Sequence, residues 1–239
     1  AVSMKKFFVL GSSIAYTLSP AIHNALYGIF NDDAIYTIKD VPVRDFDEFM
    51  NSISGFDGFN VTKPYKERIV KYVNTALCSV NTVVTDGMRG YSTDGAGFAF
   101  DFRRTCGDIK KAAVLVVGYG GAATAITDEL KRNACDVYVC GRNADKAAAF
   151  AKRRDVSLFS GQKVQFIVNC ASGDTAGLPS VEAYYDIRYD CPIPKVGKRN
   201  FNGLGMLVAQ AIYSYGLFMN KQFDFCDVER LYLKIKEML

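Results

Sequence analysis

A single histidine, His23, occurs among the 239 residues. The seven cysteines, at positions 78, 106, 135, 140, 170, 191 and 226, show no C-x-x-C spacing. These scarcities argue against a structural zinc site, so no metal is expected. They leave the cysteines as reduced, mostly buried thiols of a cytoplasmic protein. No apolar run approaches the roughly 18 residues of a membrane span, so no membrane partner is expected. Missing too is any dense cluster of Lys and Arg, because the net charge of +4 is spread along the chain. A nucleic-acid partner is therefore not expected, and a small acidic molecule fits better. Ala1-Val2-Ser3 lack the charged and apolar regions of a secretory signal. They read as an addition ahead of Met4. Neither internal repeats nor low-complexity segments occur.

What the sequence does contain is a regular alternation of short apolar runs with longer helix-period segments. Strands are expected at 5–10, 35–39, 58–61, 80–85 and 89–91, and helices at 20–30, 45–53 and 64–73. Ser19 reads as the N-cap of the first helix, with Pro20 at its first position. This order predicts an α/β domain with a mainly parallel sheet. A helix from Asp94 to Thr105 then leads into a second α/β unit, with Gly107 as its left-handed stop. Further strands are expected at 112–117, 136–140, 166–169 and 184–187. Helices should follow to Asn133, over 145–153, and over 203–219 and 227–238. The fold class is thus α/β with two domains. Residues 1–98 with 222–239 form the first and residues 99–221 the second.

The run Ala112 to Val117 is continuously apolar, as in a strand buried on both faces. Gly118-Tyr119-Gly120-Gly121-Ala122-Ala123 follows, opening a helix. This is the Rossmann order, and each small residue has a physical task. Gly118 permits the tight turn, Gly120 lets a pyrophosphate approach the backbone, and Ala123 lets helix and strand pack closely. The N–H groups at 121 and 122 would face the phosphates. The next strand ends Val139-Cys140-Gly141-Arg142-Asn143, with no acid where an NAD enzyme would hold the ribose 2′-hydroxyl. Arg142 suits a 2′-phosphate, and Lys146 lies one turn on. NADP is therefore the expected cofactor, with Asp145 keeping NAD open as an alternative.

In the first domain, Asn60, Thr62 and Lys66 stand at or just beyond the C-terminal end of a strand, where open α/β sheets bind ligands. Asp94 opens a helix whose dipole favours an ionised carboxylate.

These stretches resemble the shikimate dehydrogenases. The resemblance runs from about Phe7 to the final helices, in the family's own order. It is carried by Thr17-Leu18-Ser19-Pro20-Ala21-Ile22-His23-Asn24, Asn60 to Lys66, Val80-Asn81-Thr82-Val83 and Thr93-Asp94-Gly95. The second domain adds the glycine turn, Arg142, Asn169 to Gly173, Asp186-Ile187-Arg188-Tyr189 and Gly203 to Ala211.

The resemblance implies a substrate-binding domain, a Rossmann NADP-binding domain and an active-site cleft between them. It implies that Thr17 and Ser19 bind the substrate carboxylate. Asn81, Asp94 and Gln210 would bind ring hydroxyls, with Asn60, Thr62 and Lys66 beside them. Lys66 and Asp94 would be the catalytic pair, Tyr189 and Met206 would lie near the nicotinamide, with Tyr189 also touching the substrate, and Gly203 would contact the cofactor. The implied reaction is reversible NADPH-dependent reduction of 3-dehydroshikimate to shikimate in aromatic amino-acid biosynthesis, by a monomer or homodimer.

The sequence departs from the family at Thr17 (commonly Ser), at Ser92 (usually Asn) and at Gly141 and Asn143, which flank Arg142 where Asn and Thr are usual. Connections between Lys66 and Asn81 and around 155–200 are short. A quinate/shikimate dehydrogenase and a non-catalytic metabolite sensor are the rival readings. His23, although the only histidine, lies where it would support helix packing.

Overall fold

The computed structural model describes residues 4–173 and 177–239; Ala1-Val2-Ser3, which the sequence reading set apart, lie outside the described residues. The chain divides into two compact units, residues 1–93 with 208–239 and residues 94–207.

The first unit contains β1 (Lys5–Gly11), α1 (Ser19–Phe30), β2 (Ala34–Asp40), α2 (Phe46–Ser52), β3 (Gly58–Val61), β4 (Thr82–Val84) and β5 (Arg89–Tyr91). Its sheet has the order β2-β1-β3-β4-β5. The β2-β1-β3 part is parallel, whereas β4 and β5 add an antiparallel hairpin edge. Five consecutive buried residues, Phe7 to Gly11, occupy β1 because both faces of the strand are covered. Phe8 and Leu10 enter a core with Phe46, Phe59, Tyr65 and Val83. Phe7 turns the other way and stacks on Phe218 at 4.7 Å.

Two local expectations are corrected here. Leu18, not Ser19, occupies the N-cap of α1, and no side chain caps it. Ser19 already lies in the helix, where its hydroxyl accepts from Thr17 at 3.1 Å. The helix expected over 64–73 is only a 3-10 turn, Arg68–Tyr72. Tertiary bonds claim this segment: Tyr65 Oη donates to the Val41 carbonyl at 2.5 Å and the Val80 amide donates to the Lys66 carbonyl. The cysteines also differ from expectation. All seven are free thiols, but only Cys106 is buried, and Cys78 and Cys226 are exposed. Cys78 sits in the loop before buried Ser79 and Val80, and Cys226 on the first turn of the last helix.

The second unit contains α3 (Asp94–Cys106), β6 (Ala113–Val117), α4 (Gly121–Arg132), β7 (Asp136–Cys140), α5 (Ala144–Arg154), β8 (Ser157–Leu158), β9 (Phe166–Asn169), β10 (Val181–Asp186) and β11 (Gly197–Phe201). Its sheet is parallel throughout in the order β11-β10-β9-β6-β7-β8. That is the strand order of dinucleotide-binding sheets, and its switch point lies between β6 and β9. Gly107 ends α3 with φ +95°, its amide donating to the carbonyls of Phe102 and Arg103. Strands β8 and β11 have no counterpart in the sequence reading, because both are short or polar edge strands.

The chain closes with α6 (Leu204–Met219) and α7 (Phe225–Met238). The division between units falls within α6, at 207/208, and before α3, at 93/94. The expected boundaries, 221/222 and 98/99, lie elsewhere. Packing explains the difference: Ser214 and Phe218 bond or stack within the first unit, whereas Gly205 lies against Asp101 of the second.

Candidate functional site

A cavity of about 270 Å³ opens at the C-terminal ends of β6, β7 and β9. Val117 to Gly120 line one side, Gly141 and Arg142 another, and Asn169 to Gly173 a third. Gly118 has φ +114°, and a Cβ there would approach the Cys170 carbonyl carbon to 3.2 Å. The positive φ calls for glycine, and the tight approach adds to the cost of a side chain. At Gly120 the reason is different: an added Cβ would meet nothing within 4 Å, so its backbone faces open space. A pyrophosphate can approach it there, with the N-terminus of α4 behind. Ala123 is fully buried in the core under this turn. Gly121 and Ala122, in the first turn of α4, are half-buried. The residues therefore fit a dinucleotide.

Arg142 and Lys146 are both exposed at the start of α5. Asn143 caps this helix, its side-chain oxygen accepting the Lys146 amide at 2.8 Å. The departure at 143 thus has a structural role, and Arg142 is left as the charged group on the cavity wall.

Beneath the third wall lies a buried polar cluster. Asn169 donates to Asp186 at 3.1 Å and accepts the Ala171 amide, which shapes the loop lining the cavity. Arg188 closes on Asp186 through Nε at 2.9 Å and Nη2 at 2.6 Å. Burial opposes ionisation of Asp186, but the bonds from Arg188, Asn169 and Tyr184 outweigh it and hold the carboxyl below its ordinary range. Gly203 packs where no side chain fits, since a Cβ would lie 2.0 Å from the Ile187 carbonyl oxygen. Met206 is buried in the core and Tyr189 half-buried. None of Lys146, Tyr189, Gly203 and Met206 lines this cavity.

In the first unit the polar residues form one buried network. Asn81 donates to Thr93 Oγ1 at 2.9 Å and to Gln210 Oε1 at 3.2 Å, and accepts the Thr93 amide at 2.8 Å. Thr93 also shares a bond with Ser214 at 3.1 Å. The residue before Asp94 is therefore anchored on three side chains. Asp94 itself is the first residue of α3 and is buried. Thr62 and Lys66 are half-buried, just beyond β3.

Asn60, expected beside the substrate, is tied into the interior of the first unit. Its oxygen accepts from Tyr36 Oη at 2.7 Å, and its amide nitrogen lies within 3.0 Å of the Asn81 carbonyl, Thr82 Oγ1 and Ser214 Oγ. Both amide hydrogens are thereby engaged, and Oδ1 is bonded by Tyr36. His23 stacks on Tyr36 at 4.1 Å and is fully buried. Burial lowers its pKa to about 3. Neither ring nitrogen makes a hydrogen bond of good geometry, although the Asn60 side chain opposes the shift in part. His23 is neutral at physiological pH and serves packing.

Among the described residues no group of His, Cys, Asp and Glu could hold a metal ion, and no helix is long and apolar enough to cross a membrane.

The model of the shikimate dehydrogenase substrate binding domain matches residues 9–83. A shikimate dehydrogenase (NADP(+)) from Staphylococcus aureus strain MSSA476 is 30% identical over 254 residues, which cover 92% of this chain and 94% of that protein. The chain belongs to the shikimate dehydrogenase family. Another member, from Caldanaerobacter subterraneus subsp. tengcongensis, is 28% identical over 97% of this chain and 96% of its own length. The crystal structure of shikimate dehydrogenase from Aquifex aeolicus shares the fold with a TM-score of 0.80 at 25% identity, covering 97% of this chain and 98% of that one.

For this shikimate dehydrogenase family member, sequence reasoning missed Tyr119, Gly141 and the 169–173 loop as cavity walls. A usable signal existed for the loop. An apolar strand ends there in Asn-Cys-Ala-Ser-Gly, at the sheet edge where ligands bind.

Proposed function

We propose that this chain reversibly reduces 3-dehydroshikimate to shikimate with NADPH, as a shikimate dehydrogenase of aromatic amino-acid biosynthesis. One observation carries this reading. A family member of nearly full length has its glycine-lined cavity at the sheet's switch point, walled by Arg142 and lacking an acid at the end of β7.

When bound, the nicotinamide supplies or accepts the hydride. The chain's own residues do the remaining work. Reduction of a ketone builds negative charge on its oxygen, and the Lys66 ammonium stabilises and protonates that oxygen. Asp94, the first residue of α3, orients Lys66 and the same hydroxyl. Thr17 and Ser19, already hydroxyl to hydroxyl, hold the substrate carboxylate. Asn81, Gln210 and Thr62 take ring hydroxyls. Arg142 and Lys146 hold the 2′-phosphate, and Gly118 to Ala123 the pyrophosphate. Tyr189, Gly203 and Met206 border the nicotinamide. The protein works in the cytoplasm as a monomer or homodimer.

The test is to measure oxidation of shikimate and of quinate with NADP and with NAD side by side. Shikimate with NADP should give the highest kcat/KM. Preference for quinate or NAD would make this a different dehydrogenase. Dinucleotide binding without turnover of any pair would make it a sensor.

A further inference from the structure

The glycine turn carries a tyrosine at its second position, and the strand beside it is followed by a glycine, Gly141, rather than the family's usual asparagine. The two features meet in space. A Cβ on Gly141 would lie 2.5 Å from Cε1 and 2.9 Å from Cδ1 of Tyr119. The ring therefore rests against the backbone at the end of β7, in the volume a side chain at 141 would need. Tyr119 also lines the cavity with Gly120 and Arg142, and it is half-buried. Its inner side packs on the core of the second unit.

We propose that Tyr119 binds the adenosine end of the dinucleotide, its ring forming one wall of that subsite while Arg142 takes the 2′-phosphate. The proposal rests on the dinucleotide reading given above. In βαβ dinucleotide sites the end of the second strand is where the ribose 2′ group is read. Here that strand is β7, and the glycine just after it, Gly141, is covered by an aromatic ring that also faces the cavity. Purine rings gain affinity from such aromatic surfaces. The arrangement also bears on the other cofactor choice. An acid at 141, the means of reading a 2′-hydroxyl, has no room while Tyr119 stays in place.

Calorimetric titration of the full chain with 2′,5′-ADP and with 5′-ADP, which lacks the 2′-phosphate, tests this. Tyr119→Ala should weaken both nucleotides by about tenfold, the loss typical of a base–aromatic contact. Arg142→Ala should weaken 2′,5′-ADP selectively, and Tyr119→Phe should bind like the parent. Gly141→Ala, which pushes the ring aside, should also weaken both. Combined with Tyr119→Ala it should add little, because the clash is gone. Unchanged binding by a folded Tyr119→Ala protein, or full additivity of the two substitutions, would overturn the proposal. Failure of the unmodified protein to bind either nucleotide would instead overturn the dinucleotide reading, and this proposal with it.

Discussion

A side chain on Gly205 would have its Cβ 2.0 Å from Oδ1 of Asp101. That carboxylate cannot step aside, because it accepts from Tyr185 Oη at 2.6 Å and from Arg104 Nη2 at 2.7 Å. It is itself 1% exposed. Gly205→Ala must therefore break a buried ion pair or displace the start of α6. The expected cost is about 3 kcal/mol, the upper part of the usual range for overpacking. Urea unfolding followed by circular dichroism measures it, and an unchanged midpoint would refute the tight fit.

The buried His23 makes stability depend on pH. Its folded pKa, about 3, lies below the unfolded value of 6.5. Between these values the unfolded chain binds a proton that the folded chain does not, so its contribution is complete above pH 6.5 and lost as the pH falls. By pH 5 that loss is about 2 kcal/mol. His23→Phe, which keeps a ring against Tyr36, should flatten the fall between pH 7 and pH 5. An equal slope in both proteins would show that other groups govern it.

Asn60→Ala separates scaffold from substrate contact. The substitution strands the Tyr36 hydroxyl and the buried acceptors around Thr82 and Ser214. A stability loss of about 3 kcal/mol is expected from groups left unsatisfied in the interior. KM for shikimate should change less than stability does. A protein of parental stability with a sharply raised KM would restore Asn60 to the list of substrate ligands.

Lys66→Ala tests the proposed proton donor. With shikimate and NADP saturating, kcat should fall by about 10²–10⁴, the worth of positioned acid–base catalysis. NADPH binding, followed by fluorescence, should persist. Near-parental turnover would remove Lys66 from the chemistry.

Much of the site was legible because it is written in local chemistry. Gly118 holds a left-handed conformation that favours glycine, Gly120 leaves its backbone open to a phosphate, and Arg142 replaces the acid expected at a strand end. What escaped was set by contacts across the sheet. Nothing in the sequence pairs Tyr119 with Gly141, and only the closeness of β6 and β7 lays one over the other. Asn60 reads as a ligand because it stands on β3, at the ligand-binding edge of a parallel strand. Its side chain is in fact consumed by Tyr36, Thr82 and Ser214, residues 24, 22 and 154 positions away.

The sequence by itself determined the α/β alternation, the βα turn for a dinucleotide and the stop at Gly107. Strand and helix periods, glycine conformations and caps act over a few residues and need no distant partner. The tertiary structure alone decided that 64–73 would not be a helix, that polar Gly197–Phe201 would complete a sheet, and that α6 would be divided between two units. In each case burial and hydrogen bonding to residues far along the chain outweighed local preference. A propensity is worth tenths of a kcal/mol per residue, whereas a buried contact is worth whole ones.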